Sequence, residues 1–266
     1  MKKILISTAL CLAVITGANA QANKIKFEQF KLDNGLNVIL HQDKSTPIVA
    51  VTVLYHVGSK NEDPNRTGFA HFFEHLLFEG SENIGRGEYM KMVSSNGGIL
   101  NANTSFDRTF YFEILPSNQL ELGLWMEAER MLHAKIDETG VETQREVVKE
   151  EYRQSFENRP YGSFLMEMFG RAFEEHPYQW VPIGSLEHLN QAKIEEFRDF
   201  YKTWYVPNNA TLSIAGDFDI KQAKQWINKY FAGIPKGTKI DKVDGSVVIE
   251  DIKPGDTVIG YSGEPV

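Results

Sequence analysis

The residues best suited to chemistry are His71, Glu74 and His75, in the run His71-Phe72-Phe73-Glu74-His75. On a helix turning about 100° per residue, His71 and His75 sit about 40° apart, and Glu74 lies about 60° from His71 on its other side. Two imidazoles and a carboxylate therefore share one arc of about 100°. Ala70, Phe72, Phe73, Leu76, Leu77 and Phe78 fill the rest of the circumference, and a helix apolar all round is a buried helix. Burying such polar groups is costly unless something compensates, and a divalent cation does so directly. Neutral imidazoles are good zinc ligands, and a neighbouring carboxylate can take a proton from zinc-bound water. The order His-x-x-Glu-His reverses the commoner zincin arrangement but presents the same helical face. The bland alternative is a pair of core histidines, each satisfied by a backbone carbonyl.

Catalytic zinc usually takes three protein ligands and keeps a fourth position open, so a third ligand must come from elsewhere in the chain. The pattern Val141–Asn158 predicts a helix with Val141, Val148, Tyr152 and Phe156 on one side. Glu150 points away from that apolar face, whereas Glu151 borders it, about 80° from its centre. A carboxylate at the edge of a buried face reaches an interior metal, which favours Glu151. Glu146 and Glu157 remain alternatives.

The elements that must position these groups alternate between strand-like and helix-like stretches. Phe27–Leu32 and Leu36–His41 flank Asn34-Gly35, a strong hairpin signal. Ile48–Val57, Ile99–Thr104, Thr109–Leu115 and Ala210–Ala215 read as strands. Gly68 to Gly80, Gly87 to Ser95, Asn118–Leu132, Phe164–Phe173, Lys193–Trp204 and Ile220–Phe231 read as helices. This mixture predicts an α+β fold, a layered antiparallel or mixed sheet with helices packed on it.

The first twenty residues have the pattern of a signal peptide: Lys2 and Lys3, an apolar stretch Ile4 to Thr16, and Ala18-Asn19-Ala20 as a cleavage site. The expected compartment is therefore periplasmic or extracellular, with a mature chain beginning at Gln21. The one cysteine, Cys11, lies inside that segment, so neither disulfides nor thiolate chemistry are expected in the mature protein. The formal charge of −8 becomes more negative by two when Lys2 and Lys3 are lost, which argues against nucleic-acid binding. No later apolar run has membrane-spanning length. Residues 21–235 read as one catalytic domain. Residues 236–266 read as a linker and the start of a further domain, with a strand-like stretch at Thr257–Tyr261.

The sequence resembles the pitrilysin, insulin-degrading enzyme and mitochondrial processing peptidase group of inverted-motif zinc peptidases. The third ligand of that family is a glutamate roughly 76 residues beyond the second histidine, which corresponds to Glu151. Arg145-Glu146-Val147-Val148-Lys149-Glu150-Glu151 resembles the ligand helix. Val57-Gly58-Ser59-Lys60-Asn61-Glu62, Thr67-Gly68-Phe69-Ala70, Asn101-Ala102-Asn103-Thr104-Ser105-Phe106-Asp107-Arg108-Thr109, Tyr205-Val206-Pro207-Asn208-Asn209-Ala210 and Ala215-Gly216-Asp217 match further family segments. One departure is visible: seven positions before the third ligand the family often has a second glutamate, and here stands Gln144. An amide there can still orient Glu151 or a water, without the charge.

The resemblance implies one zinc ion held by His71, His75 and Glu151, with Glu74 as catalytic base in peptide hydrolysis. It also implies that Gly98–Thr104, with Asn101, Ala102, Asn103 and Thr104, supplies a strand that pairs with the substrate backbone. Family members join two or four such domains over the peptide, so a second homologous domain or subunit is an expected partner. The reading from another class is a non-catalytic protein that binds peptides or supports a partner subunit. Such relatives usually lose a ligand or the base, whereas all four residues are present here.

Overall fold

In the computed structural model, residues 25–234 are described, together with the backbone of two short strands at 240–242 and 245–247. The expected leader of residues 1–20 and the stretch Thr257–Tyr261 lie outside the described residues. Glu28–Lys31 (β1), Asn37–Gln42 (β2), Ile48–Tyr55 (β3), Ile99–Thr104 (β4), Thr109–Pro116 (β5) and Ala210–Gly216 (β6) form one six-stranded sheet in the order β1-β2-β6-β3-β5-β4. The β2–β6 pair is parallel and the other pairs are antiparallel. Ile240–Lys242 (β7) pairs antiparallel with Gly245–Val247 (β8), inside the stretch expected to be a linker.

Alternation decides which face of the sheet is covered. Val51 lies beside Glu113 and Ile214, and Val53 beside Tyr111 and Leu212. All six are buried, and successive side chains point to opposite faces, so they form one continuous inner face. On this face pack Phe69–Leu76 (α1) and Leu120–Leu132 (α3). Gly123 lets α3 come close: a Cβ there would meet Leu115 Cδ1 at 2.9 Å and Val51 Cγ2 at 3.2 Å.

The remaining helices are Glu88–Ser95 (α2), Glu138–Tyr152 (α4), Phe164–Ala172 (α5), Leu186–Gln191 (α6), Ile194–Trp204 (α7) and Ile220–Phe231 (α8). The expected helix Val141–Asn158 is shorter than its pattern. Its α-helical part ends at Tyr152, and a π-helical turn over Arg153–Glu157 follows, closed by Asn158 N–H to Arg153 O at 2.8 Å. Tyr152 and Phe156 stack at 5.3 Å in this arrangement, so the apolar spacing that predicted a continuous helix is equally served by the wider turn. Among the described residues, no helix is long and apolar enough to cross a membrane.

Candidate metal centre

Helix α1 carries His71, Glu74 and His75, and it is held at both ends by buried polar side chains. Gly68, at φ 96°, starts it in a conformation that favours glycine. The buried Glu62 carboxylate accepts from Gly68 N (2.9 Å), Ala70 N (2.8 Å) and Trp180 Nε1 (3.1 Å). Burial pushes the Glu62 carboxyl up to about 8, against the pull of these N–H donors. At the other end Arg130 Nη1 donates to Leu77 O at 2.7 Å, and Tyr111 OH donates to Phe73 O at 2.8 Å. A hydrogen-bond acceptor at the N-terminus and a cation at the C-terminus both match the orphan groups and the dipole of the helix.

Arg130 is 1% exposed and lies over the rings of Phe78, Tyr89 and Tyr111 at 4.4–4.7 Å. It bonds Glu127 at 3.0 Å and lies 3.7 Å from Glu113. Both carboxyls are buried, and burial, with the neighbouring Glu127 charge, pushes Glu113 well above the usual carboxylate range. Arg130 thus lies between two buried carboxyls, of which Glu113 is the one pushed toward its neutral form. The apolar side of α1 meets α7, with Phe69 stacked on Phe197 at 4.6 Å and Phe73 lying 5.4 Å from Phe200 and 5.1 Å from Tyr205.

Helix α4 brings Glu151 against the two histidines. Glu151 Oε2 lies 3.5 Å from His71 Nε2 and 3.3 Å from His75 Nε2, and the two Nε2 atoms are 3.3 Å apart. A tetrahedral ion with bonds of about 2.0–2.1 Å requires ligand atoms about 3.3–3.4 Å apart, so the triangle has the dimensions of a zinc site. Hydrogen bonds from His71 and then His75 hold the Glu151 carboxyl well below the usual range. The Nδ1 atom of His71 is buried with no hydrogen-bond partner among the described residues, so the polar contacts of its ring converge on Nε2. These three are the one group of His, Cys, Asp or Glu side chains with metal-binding spacing among the described residues. Glu146 and Glu150 are exposed and pair with Lys149 and Arg153, and Glu157 is exposed beyond the end of α4.

Glu74 reaches the strand layer, where its Oε2 accepts from Thr104 Oγ1 at 2.7 Å. Strand β4 is one of the two edge strands of the sheet. Ala102 and Thr104 share its inner face, whereas Asn101 and Asn103 alternate to the outer one. Asn101 Oδ1 accepts from Ala102 N (2.9 Å) and Asn103 Oδ1 from Arg108 Nη1 (2.6 Å). The two asparagine side chains therefore face away from Glu74, and it is the backbone edge of β4 that lies beside the site. Gln144 does not bond Glu151. Two turns earlier on α4, it donates to Glu79 Oε1. Glu62, Thr104, Arg130 and Glu79 act here through contacts between distant segments, which no local sequence signal carries.

Comparison with known proteins finds relatives named zinc proteases. The chain is 34% identical to the zinc protease PqqE of Helicobacter pylori, over 88% of this chain and 53% of that protein. The crystal structure of a protease from Helicobacter pylori superimposes with a TM-score of 0.78 at 34% identity, covering 81% of this chain and 52% of the other. The periplasmic protease PqqL from Escherichia coli superimposes with a TM-score of 0.73 at 28% identity, covering 81% and 24%. The chain thus spans about half, or less, of the length of these relatives. Residues 191–264 match the domain described as the peptidase M16 inactive domain. Residues 37–178 match the insulinase domain, peptidase family M16, and the chain belongs to that family.

Proposed function

We propose that this chain is the catalytic part of a zinc-dependent endopeptidase that hydrolyses peptides or small unfolded proteins. The observation that carries the reading is the triangle of His71 Nε2, His75 Nε2 and Glu151 Oε2, with edges of 3.3–3.5 Å, beside a carboxylate on the same helix. A bound zinc supplies Lewis acidity, polarising the scissile carbonyl and lowering the pKa of a coordinated water to about 7. Glu74 takes the proton at the carboxylate oxygen that Thr104 does not bind, then delivers it to the departing amine. Thr104 fixes the carboxylate for both transfers through its 2.7 Å hydrogen bond. The β4 edge holds the peptide by main-chain pairing, which gives affinity with little sequence preference.

Export to the periplasm or outside the cell belongs to the same reading, supported by the leader pattern of residues 1–20 and by the periplasmic location of the Escherichia coli relative. So does a second homologous domain or subunit closing over the substrate, supported by relatives about twice as long. The test is hydrolysis of a mixed peptide pool by the zinc-loaded protein and by Glu74→Gln. Cleavage by the wild type alone, with equal zinc content in both, is the expected result. Equal rates for both proteins would refute the role of Glu74, and a wild type that binds peptide without turnover would favour the non-catalytic alternative.

A further inference from the structure

Gln144 and Glu79 make a contact that the proposed chemistry does not use. Gln144 Nε2 donates to Glu79 Oε1, and the other Glu79 oxygen takes Arg86 Nη1. Arg86 Nη2 also binds Asp137, at 2.9 Å to Oδ1 and 3.3 Å to Oδ2. Asp137 in turn caps α4 by accepting from Gly140 N at 2.7 Å. Glu79 is buried and follows His75 by four residues, just past the end of α1. Gln144 and Glu151 are seven residues apart on α4, about 20° short of two full turns and about 10.5 Å along the axis. They therefore lie on one stripe of that helix.

The two segments meet at two rungs running in opposite directions. His75 faces Glu151 at 3.3 Å, and Glu79 faces Gln144 one rung further along α1 and two turns back along α4. A slip of one residue in α4 would move the Glu151 Cα by about 1.5 Å along the axis and about 100° around it. That would take its carboxylate out of reach of the histidines. The second rung prevents the slip. Its chemistry is also selective: Arg86 already serves both Glu79 and Asp137, and Lys135 lies 3.7 Å from Asp137 and not on Glu79, so a carboxylate at position 144 would face Glu79 where an amide now donates. An amide donates there without adding charge.

We propose that Glu79 and Gln144 are a matched positioning pair that sets the register of α4 against α1, and that glutamine stands at 144 because Glu79 already stands opposite. The proposal rests on the zinc reading of the site. Its test is a cycle of Gln144→Glu, Glu79→Gln and the double exchange, read by zinc affinity in chelator competition and by urea unfolding of the metal-free protein. Gln144→Glu is expected to weaken zinc binding by about tenfold or more, as loss of a group that orients a ligand does. The double exchange restores one carboxylate facing one amide, and is expected to recover most of that loss and to unfold at a higher urea concentration than Gln144→Glu. If Gln144→Glu does not fold, a folded, zinc-binding double exchange is the expected rescue. Wild-type zinc affinity in Gln144→Glu, or a double exchange no better than the worse single variant, would overturn the pair while leaving the metal reading intact. A wild type that takes up no zinc would overturn the metal reading and this proposal with it, and would be seen before any variant is compared.

Discussion

Replacing Arg130 by Met keeps much of the side chain's volume and removes its charge. In the structure this leaves Glu127 without its 3.0 Å partner and Leu77 O without the 2.7 Å donor at the end of α1, and it exposes three aromatic rings to the loss of a cation at 4.4–4.7 Å. Removing one member of a buried ion pair typically costs about 3–5 kcal/mol. An independent bound follows from protonation. The stranded carboxylate can become neutral at about 1.4 kcal/mol per pH unit above its ordinary range, or roughly 3–4 kcal/mol at pH 7 and about 1 kcal/mol at pH 5. The variant therefore binds an extra proton when folded, so its penalty is small in acid and grows as the pH rises. Urea unfolding of the metal-free protein at pH 5 and pH 7 measures this directly. The expected loss at pH 7 is about 3–4 kcal/mol, a fall of roughly 6–16 °C in Tm for a domain of this size, and adding Glu127→Gln should recover most of it. A penalty under about 1 kcal/mol at pH 7, or one independent of pH, would refute the reasoning that Arg130 balances a buried anion.

Glu113 gives a complementary test: its carboxyl is raised by burial, so its stabilising share is present below the unfolded pKa and is lost as pH rises through the folded one. Glu113→Gln should accordingly cost under about 1 kcal/mol at pH 7 and flatten the decline of stability with rising pH, as a pH series of unfolding curves would reveal. Glu62→Ala leaves the N–H groups of Gly68 and Ala70 without their acceptor, while Trp180 Nε1 keeps Ser59 O at 2.9 Å, and should destabilise by about 2–4 kcal/mol. It should also weaken zinc uptake, measurable by chelator competition. Thr104→Val removes the hydrogen bond to Glu74 but no proposed ligand, so zinc affinity should persist while turnover falls about tenfold. Thr104→Ser should keep most of the rate, and equal rates for Val and Ser would deny the hydroxyl a role.

What the sequence made legible follows from how local each signal is. Strand Ile99–Thr104 and helix Ile220–Phe231 have the bounds their patterns predict, because turn residues delimit both. The placement of Glu151 at the edge of an apolar helix face was also readable, since one helix and its periodicity contain the whole argument. Leu186–Gln191 was not predicted, being six residues long and dependent on its Ser185 cap. The insertion of β6 between β2 and β3, parallel to the former, is a long-range pairing to which the Asn34-Gly35 hairpin signal is blind. Thr104 is similar. As a strand residue it has a period and a face, but its bond to Glu74 exists only once α1 crosses the sheet beside β4.

The same distinction explains why the proposed ligands are easier to read than what holds them. His71, Glu74 and His75 must lie on one helical arc, so their spacing is fixed by 3.6 residues per turn. Their support has no such rule: Glu62, Arg130 and Glu79 come from a loop, a different helix and a turn, and meet α1 only through the fold. Yet they fix what the spacing leaves free. A carboxylate at one end of α1 and a guanidinium at the other satisfy its terminal N–H and C=O groups inside the core. The helix is then anchored along its axis before any ion is considered. With α1 so anchored, the 3.3–3.5 Å triangle depends on one remaining variable, the position of α4, and Gln144 meets Glu79 where that variable is set.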